Sequence, residues 1–143
     1  MIRIEIPIEP TGQMRPRFRS VNAKDGRSFG MAYKAKSQKM RENKIIACLL
    51  SAQTNEMPWS CPVGLRVVAE MAIPKSYSKA KRVRCLDGNE VPAKKPDLSN
   101  IVKQIEDCGN TVLWVDDKQI VYTESMKKYG ERPRWIVEMW RVF

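Results

Sequence analysis

The chain contains no histidine. That absence removes the Ser-His-Asp and Cys-His nucleophile pairs, every histidine-ligated zinc centre and the imidazole general base. Catalysis would have to rest on carboxylates, lysine, tyrosine, serine or cysteine, and a bound metal would be hard and oxygen-ligated, such as Mg²⁺ or Mn²⁺. Cysteine is sparse as well: Cys48, Cys61, Cys85 and Cys108 are widely spaced and form no C-x-x-C pair. Cys48 and Cys108 fall on apolar helical stripes, which reads as packing and not as a disulfide framework. No apolar run approaches the ~20 residues that a membrane span requires. The opening Met1-Ile2-Arg3-Ile4-Glu5 lacks the positive-then-apolar order of a signal peptide, so the expected location is the cytoplasm.

What is present is a core and an excess of positive charge. The 143 residues are 43% hydrophobic, enough for one domain spanning 1–143, and carry 26 Lys and Arg against 16 Asp and Glu, a net charge of +10. The excess is clustered. Ten cations lie between Arg15 and Lys44, among them Arg15, Arg17 and Arg19, against Asp25 and Glu42. Seven more lie between Lys75 and Lys95, including Lys75, Lys79, Lys81 and Arg82, against Asp87 and Glu90. Two such segments suit a polyanion, most plainly nucleic acid, whose phosphates supply most sequence-independent affinity. The plainer alternative is a solvated basic surface.

Ile2, Ile4, Ile6 and Ile8 alternate with polar residues, predicting a half-buried strand with Pro7 near a sheet edge. A basic loop follows from Arg15 to about Ala32, then a helix from about Tyr33 to Gln53. Val63 to Ile73 alternates again as a second strand, stopped by Pro74. Lys75 to Lys95 has no periodicity and reads as a structureless, ligand-dependent stretch. Ser99 is placed to cap a short helix running to about Cys108, with Ile101, Val102, Ile105 and Cys108 inward and Asn100, Lys103, Gln104 and Asp107 on one polar face. A short strand, Val112 to Val115, leads to Asp116-Asp117. Ile120 to Met126 and Arg134 to Val142 read as an antiparallel pair. The expected fold class is α+β: a mixed, largely antiparallel sheet packed against two main helices.

The acids that invite chemistry flank the short helix, Asp97 before it and Asp116-Asp117 after it. Adjacent carboxylates repel, and a divalent cation would relieve that repulsion; a solvated turn is the ordinary alternative. The longer pattern is more specific. Lys95-Pro96-Asp97-Leu98-Ser99-Asn100 with Lys103, then Trp114-Val115-Asp116-Asp117-Lys118-Gln119-Ile120, resembles the RusA family of Holliday-junction resolvases, whose pattern is K-P-D-x-D-N-x-x-K, a helix, then W-x-D-D-x-Q-V. The Pro10–Arg17 segment and Ile73–Lys79 also look like that family's basic loop and pre-helix loop, so the resemblance extends over nearly the whole chain.

The resemblance implies a small homodimeric, Mg²⁺-dependent endonuclease, often of phage or prophage origin. Such an enzyme cuts four-way DNA junctions by paired symmetric nicks that leave 5′-phosphate and 3′-hydroxyl ends. Carried onto this sequence, Asp97 and Asp117 match metal-site carboxylates with Asp116 beside them. Lys103 matches a lysine associated with catalysis, and Asn100 the motif asparagine. One position departs: Ser99 stands where the pattern has its second aspartate, leaving three formal negative charges in place of four. Ser99 as a weak neutral ligand, or Asp107 from the same helix, could make up the set. A shared ion requires Asp97, Asp116 and Asp117 to converge within about 6 Å, and their divergence would count against the nuclease reading. Two rivals follow: a branched-DNA binding protein with weak or no cleavage because of Ser99, and a general basic nucleic-acid module.

Overall fold

A computed structural model describes residues 1–143. In chain order the elements are β1 (Ile2–Ile6), β2 (Arg17–Asn22), β3 (Ser28–Tyr33), α1 (Lys36–Ser51), β4 (Val63–Ala72), α2 (Lys79–Asp87), α3 (Leu98–Gly109), a single 3₁₀ turn (Asp117–Gln119), β5 (Ile120–Gly130) and β6 (Arg134–Arg141). The main sheet has the order β1-β6-β4-β5, and β2 and β3 form a separate two-stranded ribbon.

The α+β class is as expected, with three helices where two main ones were predicted. Strand pairing is where the prediction fails. β5 and β6 do not form a hairpin: β6 lies antiparallel between β1 and β4, whereas β5 runs parallel to β4 on its other side. The reason is burial. β6 buries Trp135, Ile136, Val137 and Met139, while β5 leaves Val121, Tyr122 and Met126 exposed. An apolar strand gains most from neighbours on both sides, and a half-polar strand is better suited to an edge.

One face of the sheet carries the core. Ile4 and Ile6 of β1, Leu65 and Val67 of β4, and Trp135 and Val137 of β6 meet Ile45 and Leu49 of α1 and Ile101 and Ile105 of α3 in one cluster. The opposite face carries cross-strand ion pairs. Glu138 takes Arg3 and Arg66, each at 3.2 Å, and Arg134 reaches Glu70 and Glu5, each at 2.8 Å. Arg134 beside Glu70 holds that carboxyl below its ordinary range.

Three local expectations are corrected. Lys75 to Lys95 is not structureless: Ser78 accepts a hydrogen bond from the Lys81 amide and opens α2, which ends at Gly88 in the left-handed conformation. The helix lacks an apolar signature because only Cys85 is buried on it. The basic stretch before α1 is not a loop but the β2–β3 ribbon. Val112 to Val115 is not a strand. It is a turn in which the Val112 and Leu113 amides return to the Gly109 carbonyl at 3.1 and 2.8 Å.

Candidate functional site

α3 begins two residues earlier than its sequence suggests. Asp97, not Ser99, is the N-cap, and Ser99 sits exposed in the first turn. The Asp97 side chain makes no capping hydrogen bond, so an exposed carboxylate stands at the positive end of the helix. The segment before it is pinned by Lys127 of β5, which donates to the carbonyls of Lys94 at 2.7 Å and Pro96 at 2.9 Å. On the other side, the Gln13 amide donates to the Asn100 carbonyl at 3.0 Å. Between these two anchors lies a cleft of about 790 Å³, where Asp97 and Asn100 share the walls with Arg15, Arg41 and Lys95.

The second acidic segment is carried to α3 by a tryptophan. Trp114 is fully buried, and a Cβ placed on Gly109 would lie 2.3 Å from its ring. Only glycine therefore lets the chain fold back onto the end of α3. Trp114 Nε1 donates to Asn110 Oδ1 at 3.1 Å, and the segment pairs with the Trp59 backbone, Trp59 N to Leu113 O at 2.9 Å and Val115 N to Trp59 O at 3.0 Å. Gln119 completes the anchorage. Its Nε2 donates to the carbonyls of Trp59 and Cys61 at 2.8 and 2.9 Å, and its Oε1 accepts from the Asp116 amide at 2.9 Å.

Asp116 and Asp117 consequently do different things. Asp116 caps the 3₁₀ turn, accepting from the Lys118 amide at 3.0 Å, and that bond holds its carboxyl below the ordinary range. Asp117 turns toward α3, where Lys103 Nζ lies 3.1 Å from its Oδ2 and 2.9 Å from Asp107 Oδ1. The other Asp107 oxygen accepts from Gln13 Nε2 at 3.1 Å. The two carboxylates, Asp107 above all, raise the Lys103 pKa from its ordinary value, so Lys103 is a fixed cation at neutral pH and not a proton shuttle. Burial raises the carboxyl of Glu106 beside this group.

The structure brings the two segments singled out in the sequence together through Lys103 and Asp117, in an arrangement the sequence did not suggest. Asp107, Asp117 and Lys103 come together, Asp97 opens onto the neighbouring cleft, and Asp116 is occupied as a cap. No group of three or more Asp, Glu or Cys side chains is placed to hold a metal ion, so the expected three-aspartate cluster is absent from this arrangement. Gln104 also leaves the polar face assigned to it: it is buried, with its amide on Cys108 Sγ at 3.8 Å. Among the predicted DNA-contacting cations, Arg15 lines the cleft, whereas Arg17 and Arg19 lie out on the ribbon. Lys75 and Lys79 are exposed near α2; Lys81 lies 4.0 Å over the Tyr77 ring, and Arg82 donates to the Pro74 carbonyl at 3.3 Å.

A family model described as "Endodeoxyribonuclease RusA" matches residues 7–140. The chain belongs to the RusA family. It is also 33% identical over 135 residues to YqaN, an uncharacterized protein of Bacillus subtilis (strain 168), covering 93% of this chain and 91% of that one. Membership indicates an endodeoxyribonuclease, and no helix of the structure is long and apolar enough to cross a membrane.

With the RusA motif placed on the fold, several of its residues gain a physical reason. The tryptophan and glutamine of W-x-D-D-x-Q are the anchors that present the aspartate pair. The lysine of the first motif ties α3 to the second. Arg41, Lys95, Gln13 and Glu106 escaped selection as site residues. Lys95 opens the motif, and Glu106 lies three residues after Lys103 on the same helix, but Arg41 and Gln13 reach the site only through tertiary packing.

Proposed function

We propose that this RusA-family chain resolves four-way DNA junctions by paired symmetric nicks, acting as a homodimer with a divalent cation. The observation that carries the reading is the cleft at the start of α3, where a free carboxylate, Asp97, faces Arg15, Arg41 and Lys95. Cations on several segments suit a phosphodiester backbone, and an unpaired carboxylate among them is poorly explained by backbone binding alone.

In donor chemistry the acids suit a hard cation. Asp97 and Asp117, with Asp116 and with Ser99 or Asp107 as further oxygens, would hold Mg²⁺, for which Mn²⁺ can substitute. When bound, such an ion stabilises charge at the scissile phosphate and lowers the pKa of bound water. The chain's own part is positional. Arg15, Arg41 and Lys95 hold the backbone in the cleft, and the Asn100 side chain offers an amide donor there. Lys103, a cation at neutral pH, would offset negative charge that builds on the phosphate or its leaving oxygen. Selection of a junction requires a two-fold dimer matched to a two-fold DNA branch.

The test is incubation of a synthetic four-way junction with Mg²⁺ and, separately, Mn²⁺, beside an Asp117→Asn control. Metal-dependent symmetric nicks that the control abolishes are the expected result. Tight junction binding without cutting in either metal would overturn the nuclease assignment in favour of a second reading, a branched-DNA binding protein. Two observations favour that second reading: Ser99 in place of an aspartate, and the lack of a gathered three-carboxylate group. A Ser99→Asp variant that cuts faster than the parent would show that the missing carboxylate limits the rate.

A further inference from the structure

The β2–β3 ribbon has a face that the proposed chemistry does not use. Its register pairs Arg17 with Tyr33, Arg19 with Met31 and Val21 with Phe29. In an antiparallel pair directly opposed residues share a face, so these six side chains form one surface. The other face is mostly small: Ser20, Asn22, Ser28, Gly30 and Ala32, with Phe18. Phe29 is 51% exposed and Met31 and Tyr33 are each 40% exposed. The two strands bond only to each other, and a lone two-stranded ribbon is marginal in water. Keeping three large apolar groups on such a ribbon, where no core covers them, calls for a partner.

Charge decides the partner. The Arg19 guanidinium lies 5.8 Å from the Tyr33 ring centre and 4.0 Å from Met31 Sδ, so the apolar surface is interleaved with cations. The one acid of the ribbon, Asp25 in its turn, pairs with Arg27 at 3.6 Å. A second copy of this surface would bring arginines against arginines. A polyanion with exposed ring faces would meet both halves of the pattern.

The ribbon is also rooted at the candidate site. Gln13, just before it, bonds to Asn100 and Asp107 of α3, the Met14 amide donates to Gln38 at 3.2 Å, and Lys34, just after it, pairs with Glu42 at 3.0 Å. Whatever DNA occupies the Asp97 cleft has the ribbon beside it.

We propose that Phe29, Met31 and Tyr33 form a wedge that stacks on bases unpaired at a DNA branch point, with Arg17 and Arg19 on the flanking phosphates. The wedge rests on the reading of the chain as a branched-DNA enzyme and adds to it the element that senses the branch.

The test compares binding of a four-way junction and a linear duplex of equal length in the full chain, in a Phe29→Ala/Tyr33→Ala variant and in an Arg17→Ala/Arg19→Ala variant. The aromatic variant should lose about ten-fold or more in junction affinity with duplex affinity unchanged. The arginine variant should weaken both and lower the salt slope by about two. Sedimentation and circular dichroism report assembly and fold. Equal junction binding by the aromatic variant and the parent overturns the wedge while leaving junction cutting intact. Loss of a dimer in the aromatic variant also overturns it, by making the face a self-interface. A parent that binds junction and duplex alike would sink the underlying branched-DNA reading instead.

Discussion

The end of α3 and the β2–β3 ribbon both carry aromatic side chains beside charged ones, yet they are built in opposite ways. At α3, Trp114 is fully buried and the amides from Thr111 to Val115 all donate to backbone carbonyls, so the segment that leads to the aspartates is held by packing and hydrogen bonds. On the ribbon, Phe29 and Tyr33 stand in solvent, and the Arg19 guanidinium lies 5.8 Å from the Tyr33 ring centre. On the proposed reading, the same residue types position acidic groups in one region and remain available for recognition in the other. Burial decides which.

Four measurements would break or sharpen that contrast. Trp114→Ala should have the largest effect, about 3–5 kcal/mol of stability by urea unfolding, as for other large-to-small changes at fully buried aromatics; a loss below 1 kcal/mol would show the cradle to be soft. Gly109→Ala forces a Cβ into the Trp114 ring, and overpacking of this kind costs about 1–3 kcal/mol. Junction cutting should fall with it, because Asp116 and Asp117 ride on the same turn. Full activity in that variant would detach the acids from the tryptophan.

Lys103 comes next. Its folded-state pKa lies above the ordinary value of 10.5 because Asp107 and Asp117 bond to the charged form. Its contribution is therefore complete below about pH 10.5 and is lost only as pH rises through the higher folded value. For a half-exposed pair the size is at most about 1 kcal/mol. The stability difference between the parent and Lys103→Met should stay constant from about pH 6 to pH 10 and shrink above that; a change near neutrality would contradict a fixed cation. The smallest effect belongs to the ribbon: Phe29→Ala should alter unfolding by no more than about 0.5 kcal/mol, and a larger loss would mean that the ring is packed after all.

Periodicity made β1, β4, most of α1 and the apolar stripe of α3 legible in the sequence, because each buries one face against the same core. It failed where burial is slight or shared. α2 buries only Cys85, and the strands of the ribbon bury no side chain, so neither leaves an apolar period to read. The partnership of β6 with β1 and β4 depends on which strand is most buried, and adjacency in sequence pointed to β5 instead. At the site, Asp97, Lys103 and Asp117 could be singled out through their match to the RusA motif. The division of labour between Asp116 and Asp117 could not, since it follows from Gln119 reaching back to the Trp59–Cys61 loop, some 58 residues away for Cys61.

Lys103 has one more effect, on encounter with DNA. Of the acidic groups near α3, Asp107 and Asp117 have Lys103 as counter-charge and Asp116 has Lys118, while Asp97, in no ion pair, shares its cleft with Arg15, Arg41 and Lys95. A phosphate backbone approaching this surface meets little net repulsion from these carboxylates. Long-range steering can then raise the association rate, a benefit that salt should erode as it screens the cations.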